Sequence, residues 1–153
     1  MDKKEIGIAI RKIKDIAFFV NETLFDNNIS RQIRVDFANI YNLNTDTGLL
    51  NFGVRIIFRY KDAKVDDILV SSEVETHFQI ADIKNHLTED GQVELPQNVW
   101  VTFVSLAVTH ARALLAKNLA GTVYQNFIVP IVDATALAKS FFPNLFEQNI
   151  ENK

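Results

Sequence analysis

His77, His86 and His110 are the side chains best suited to proton transfer or metal binding, and their spacing favours neither. No HxxxH or HxH pair brings two imidazoles to one ion, and the three fall in a strand, a loop and a helix of the patterns below. The chain has no cysteine, which removes thiolate ligands, disulfides and a cysteine nucleophile. Its glycines form neither G-x-G-x-x-G nor G-x-x-x-x-G-K, the runs whose backbone cradles phosphates. Asp66-Asp67 and Glu89-Asp90 sit in turn-like segments that leave carboxylates solvated. Asn21-Glu22-Thr23 and Asn28-Ile29-Ser30 fit the glycosylation acceptor pattern. However, MDKKEIGIAIRKIKD places charges on both sides of a short apolar run instead of a secretory hydrophobic region. The expectation is a cytoplasmic chain that is not an enzyme and that uses no metal and no cofactor.

What the residues do supply is apolar surface: 48% of the 153 residues are hydrophobic and 12 are Phe, which calls for a large core, a buried interface or an apolar binding surface. A net charge of -3 argues against nucleic acid or an anionic membrane as partner, since both require clustered cations. Lys3, Lys4, Arg11, Lys12 and Lys14 form one cluster, but acids interleave it, and they read as solvated strand positions. No apolar run reaches 18 residues without a polar break, so membrane insertion is not expected.

The elements that must carry this surface form a single domain over 1–153. Four segments alternate with period two. The first holds Ile6, Ile8 and Ile10, then after a slip near Lys12 resumes with Ile16, Phe18 and Val20. RQIRVDFAN aligns Ile33, Val35 and Phe37; LNFGVRIIFRY aligns Leu50, Phe52, Val54, Ile56, Phe58 and Tyr60; ILVSSEVETHFQI aligns Val70, Val74, Phe78 and Ile80. Such alternation predicts an antiparallel sheet with one packed and one wet face. NLNTDTG (42–48) and KDAKVDD (61–67) are turns, while NETLFDNNIS (21–30) is a long loop that holds Leu24, Phe25 and Ile29. A long helix follows Pro96, then an extended connector, GTVYQNFIVPIVD, and a short helix capped by Asp133 and stopped by Pro143.

The long helix has too much apolar circumference for a lone domain. Trp100, Phe103, Val104, Ala107, Val108, Ala111, Leu114, Leu115 and Leu119 form a stripe for the sheet. The remainder holds Thr102, Ser105, Leu106, Thr109, Ala113, Ala116 and Ala120, with Arg112 and Lys117 as its charges. Either that face is buried within the domain or another subunit's helix packs on it. With so few helices in the chain, the second is favoured, through Ser105, Thr109, Arg112, Ala113 and Ala116.

The order of these parts resembles the SecB family of protein-export chaperones, over about residues 6 to 146. The resemblance is carried by KDIAF (Lys14 to Phe18), SEV (Ser72 to Val74), Ala111-Arg112, Gly121-Thr122, Gln125 and Pro130. It implies an α+β fold, with a four-stranded antiparallel sheet against one long helix and a short C-terminal helix, assembled as a homotetramer, a dimer of dimers. It also implies an ATP-independent holdase that binds unfolded polypeptides in hydrophobic grooves and keeps preproteins export-competent. On that reading the client surface comprises Leu24, Phe25, Ile29, Tyr124, Phe127, Ile128, Leu137, Phe141, Phe142 and Phe146, each of which could equally be core. Asp15 and Glu73 match the acidic outer-face positions that dock the SecA motor, although Phe19 stands where a further acid is expected and Ser71 where an apolar residue is expected. SecB-like chains also serve toxin–antitoxin systems, so a chaperone dedicated to one partner such as an antitoxin is an alternative. A carrier of one apolar ligand would use the same elements.

Overall fold

The computed structural model describes residues 5–28 and 30–147. Strands β1 (Ile8–Val20), β2 (Ile33–Asn44), β3 (Leu49–Tyr60) and β4 (Val70–Ile80) precede a long helix, α1 (Gln97–Leu119), and two short ones, α2 (Ala134–Phe141) and α3 (Pro143–Glu147). The strands form one antiparallel sheet in the order β1-β4-β3-β2, which leaves β1 and β2 at its edges. The fold class is therefore the expected α+β. Pro143 does end α2, but its fixed φ also suits the first position of a new helix, so the expected single C-terminal helix is two.

In β3 and β4 the alternation is realised in full. Leu50, Phe52, Val54, Ile56, Phe58, Val70, Val74, Phe78 and Ile80 are buried, and α1 closes over them with Phe103, Val104, Ala107, Ala111 and Leu115. Each of the largest of these side chains contributes about 1.5–3 kcal/mol by leaving water. By length and composition alone α1 could cross a membrane, with a mean hydropathy of 1.5 over its most apolar window. The stripe sealed on the sheet gives that composition a structural reason.

β1 departs from the one-packed-face expectation. Its register with β4 shifts twice, once between Ile10 and Lys12 and once between Asp15 and Ala17, so Arg11 and Ile16 are bulged. The slip expected near Lys12 is the first of these; the second makes Ile16 a bulge residue rather than a member of the inner face. Because α1 lies over β4 and β3 and reaches β1 at its margin, Ile10, Ile13, Ile16, Phe18 and Phe19 all remain exposed. β2 is also longer than its sequence pattern suggested, running on through Tyr41 and Leu43 to Asn44 before the turn.

The loop between β1 and β2 is held down by aromatic groups. Asp26 N donates to Tyr60 Oη at 2.8 Å, the Arg31 guanidinium lies 3.9 Å over the Tyr60 ring, and Phe25 meets Tyr124 edge-on at 5.4 Å. The connector after α1 is a run of turns and irregular backbone, not the extended stretch its composition suggested. Gly121, at φ +80, makes the reversal after α1 that a side chain would oppose. Asp133 Oδ1 then accepts from Thr135 N and Ala136 N at 2.8 and 3.1 Å, capping α2 as its sequence position predicts.

Candidate functional site

Small residues on α1 leave a groove between the helix and the connector. Thr109, Ala113 and Ala116 form one wall and Gln125, Phe127, Ile128 and Val129 the other, around a volume of about 410 Å³. The connector is fixed at both ends of this wall. Phe127 packs on Phe58 and Tyr124 with ring centroids 5.6 and 5.0 Å apart, and Arg112 Nη2 donates to Val129 O at 3.2 Å. Ile128, by contrast, is 81% exposed. The groove thus offers methyl and methylene groups, one guanidinium and an uncovered aliphatic side chain at its edge. Such a lining can take apolar side chains of an extended chain and offers no nucleophile and base to act on them.

The polar residues on the outer side of α1 do not make it hydrophilic. Thr102 and Thr109 donate their hydroxyls to Asn98 O and Ser105 O one turn back, both at 2.8 Å, and so turn methyl groups outward. Ser105, Thr109, Ala113 and Ala116 are exposed and Arg112 is half-buried. Thr109, Arg112, Ala113 and Ala116, expected at a subunit contact, and the expected client residues Phe127 and Ile128 line the same groove, and Ser105 lies outside it.

The other client candidates divide. Tyr124 is fully buried and Phe142 is 6% exposed, so both are core rather than accessible surface. Tyr124 Oη donates to Asn21 O, tying the connector to the β1–β2 loop, and burial, with Tyr60 and Glu22 nearby, pushes its pKa up to about 12. Phe142 fills an aromatic cluster, 4.9 Å from Trp100, 5.4 Å from Tyr41 and 6.0 Å from Phe52. Leu24, Phe25, Phe127, Leu137, Phe141 and Phe146 are half-buried, and Ile29 lies outside the described residues. A second depression of about 530 Å³ lies over the aromatic cluster between Tyr41, Leu43, Val93, Phe141 and Leu145. Tyr41 and Leu43 of its strand wall lie beyond the RQIRVDFAN segment, and their spacing continues the β2 alternation.

Asp15 and Glu73 do not share a surface. Glu73 is on the outer face, where Arg55 Nη2 donates to its Oε2 at 2.7 Å. Asp15 pairs with Val74 and faces the helix side, where its Oδ2 accepts from Asn118 Nδ2 at 2.7 Å. The bulge at Arg11 is the cause, because one inserted residue moves the following positions to the opposite face.

On the helix side His110 Nδ1 lies 2.9 Å from Thr76 Oγ1, a fully buried hydroxyl of β4. Burial pushes the imidazole below its ordinary value of 6.5. The unfolded chain therefore takes up the proton more readily than the folded one, so stability is held above pH 6.5 and lost as pH falls through the folded value. Urea midpoints should fall between pH 7.5 and 5, and His110→Gln should flatten that slope.

Neither a family model nor a curated sequence matches this chain. Its structure aligns with the SecB-like chaperone Rv1957 of Mycobacterium tuberculosis, solved in complex with a ChAD peptide from the HigA1 antitoxin. The TM-score is 0.58 at 11% identity, over 82% of this chain and 90% of that one. The fold is SecB-like. A protein of unknown function from Streptococcus agalactiae aligns at a TM-score of 0.36 and 7% identity, over 84% of this chain and 98% of that one, a likeness too low to carry an argument. In SecB-like terms, the groove runs between the long helix and the connector that leads to the C-terminal helices.

Proposed function

We propose that this chain is an ATP-independent holdase that binds unfolded polypeptides in the groove between α1 and the connector and works as a cytoplasmic homotetramer. The observation that carries the reading is the groove itself, largely apolar in lining and edged by the exposed Ile128, on a SecB-like fold. Unfolded chains of unrelated sequence have apolar side chains and unpaired backbone groups in common, and a long open apolar groove recognises those without selecting one ligand. Assembly is supported by two uncovered surfaces, the exposed aliphatic and aromatic side chains of β1 and the small-residue side of α1, where another subunit's helix takes the wall at Thr109, Ala113 and Ala116 and leaves the connector wall at Phe127 and Ile128 to the client. Clients held for export are the general form of this reading. A chaperone dedicated to one partner is the second form, supported by the antitoxin peptide bound to the SecB-like neighbour.

Light scattering from several unrelated denatured clients tests both forms. The holdase reading expects suppressed aggregation at stoichiometric tetramer without nucleotide, and sedimentation at four times the chain mass. A monomer that suppresses nothing overturns it. Protection of one client among many favours the dedicated form.

A further inference from the structure

The sheet face turned away from α1 has its own chemistry. Register places Lys12, Lys14, Arg34, Arg55 and Arg59 there, together with Asp36, Glu73 and Glu75. Two of these carboxylates sit in ion pairs and the third in a hydrogen bond. Glu73 pairs with Arg55 at 2.7 Å, Asp36 with Arg59 and Arg34 at 2.8 and 2.9 Å, and Glu75 is hydrogen-bonded to the His77 ring. Lys12 and Lys14 have no carboxylate partner among the described residues. A chain of net charge -3 therefore shows a locally cationic face.

The same face holds a depression of about 210 Å³ on Gly53, walled by Ala38, Ile40, Arg55 and Glu73. Gly53 is tied to that shape, since a Cβ there would lie 3.0 Å from Ile40 Cγ2. Ile40 is 67% exposed beside it. Lys14, Glu75, Gly53 and Ile40 form one row across the four strands. At about 4.8 Å per strand the row spans about 14 Å, the reach of about four or five extended residues.

We propose that this face docks an acidic segment of a partner protein, with one aliphatic side chain against Ile40 and Gly53 and carboxylates, four or five residues away, at Lys12 and Lys14. The interleaved Glu73, Glu75 and Asp36 favour a peptide over a phosphate array, which would meet them across its whole width. The sign is opposite to that of the acidic docking face implied by the family resemblance. The proposal is independent of the groove and of the holdase reading.

The test is NMR titration of the full-length protein with two synthetic peptides of equal length, one with a leucine four residues from a run of glutamates and the other with lysines in their place. The acidic peptide should shift the amides of Lys12, Lys14, Ile40 and Gly53 and weaken as salt is raised. Lys12→Glu with Lys14→Glu should cost about tenfold in affinity, and Ile40→Ser a comparable loss, with the thermal midpoint unchanged because these side chains are exposed. Equal or tighter binding of the lysine peptide overturns the proposal. So do shifts confined to the 125–129 groove, or stronger binding of anionic phospholipid vesicles or single-stranded DNA than of the acidic peptide.

Discussion

Replacing Phe142 by alanine is expected to destabilise the fold by about 3–5 kcal/mol, the usual cost of emptying a large aromatic site in a core. The ring is wedged among Trp100, Tyr41 and Phe52, and it joins the C-terminal helices to α1 and to the β2 edge. Urea unfolding measures the loss directly. Phe141→Ala, one residue earlier and half-buried at the second depression, should cost much less. A loss as large at Phe141 as at Phe142 would mean that α2 is rotated from the position described above.

Ala116→Glu is expected to have the second large effect, and to act on assembly instead of folding. Ala116 is exposed in the single chain, so a glutamate there leaves the fold intact. In the proposed tetramer, where another helix packs on that face, the same carboxylate is confined without a partner, which costs about 3–5 kcal/mol per unpaired buried charge. Sedimentation should show smaller species than wild type, and Ala113→Glu, one turn earlier on the groove wall, should behave alike. Unchanged mass in both variants would show that face to be wet in the assembly.

Much of this architecture was legible in the residues because period matches environment. β3 and β4 are packed on one face along their whole length, so their alternation survives intact, and the α1 stripe reads correctly from Trp100 to Leu119 for the same reason. β1 was less legible, since apolar residues on both sides of an exposed, twice-bulged edge strand leave no single phase to read. Asp15 was misplaced by that parity change alone. The groove was half legible: its residues were singled out, but helical spacing cannot reveal that a connector folds back along α1, so its two walls were assigned separate roles. Tyr124 and Phe142 show the complementary limit, for an aromatic residue in a connector or at a helix end is apolar in the same way whether it meets a client or its own sheet. Only the register of β2 through Tyr41 and the bond from Tyr124 to Asn21 decide it.

The central claim, that the groove between α1 and the connector holds unfolded polypeptide, is tested most directly by titrating a fluorescently labelled, permanently unfolded polypeptide into the wild type and into Ile128→Glu. Ile128 is so exposed that its replacement leaves fold and thermal midpoint unchanged. The wild type should bind without nucleotide, and the variant about tenfold or more weaker at unchanged assembly mass, as a charge set against apolar side chains demands. Equal affinity in the variant, or no binding by the wild type, would contradict the account.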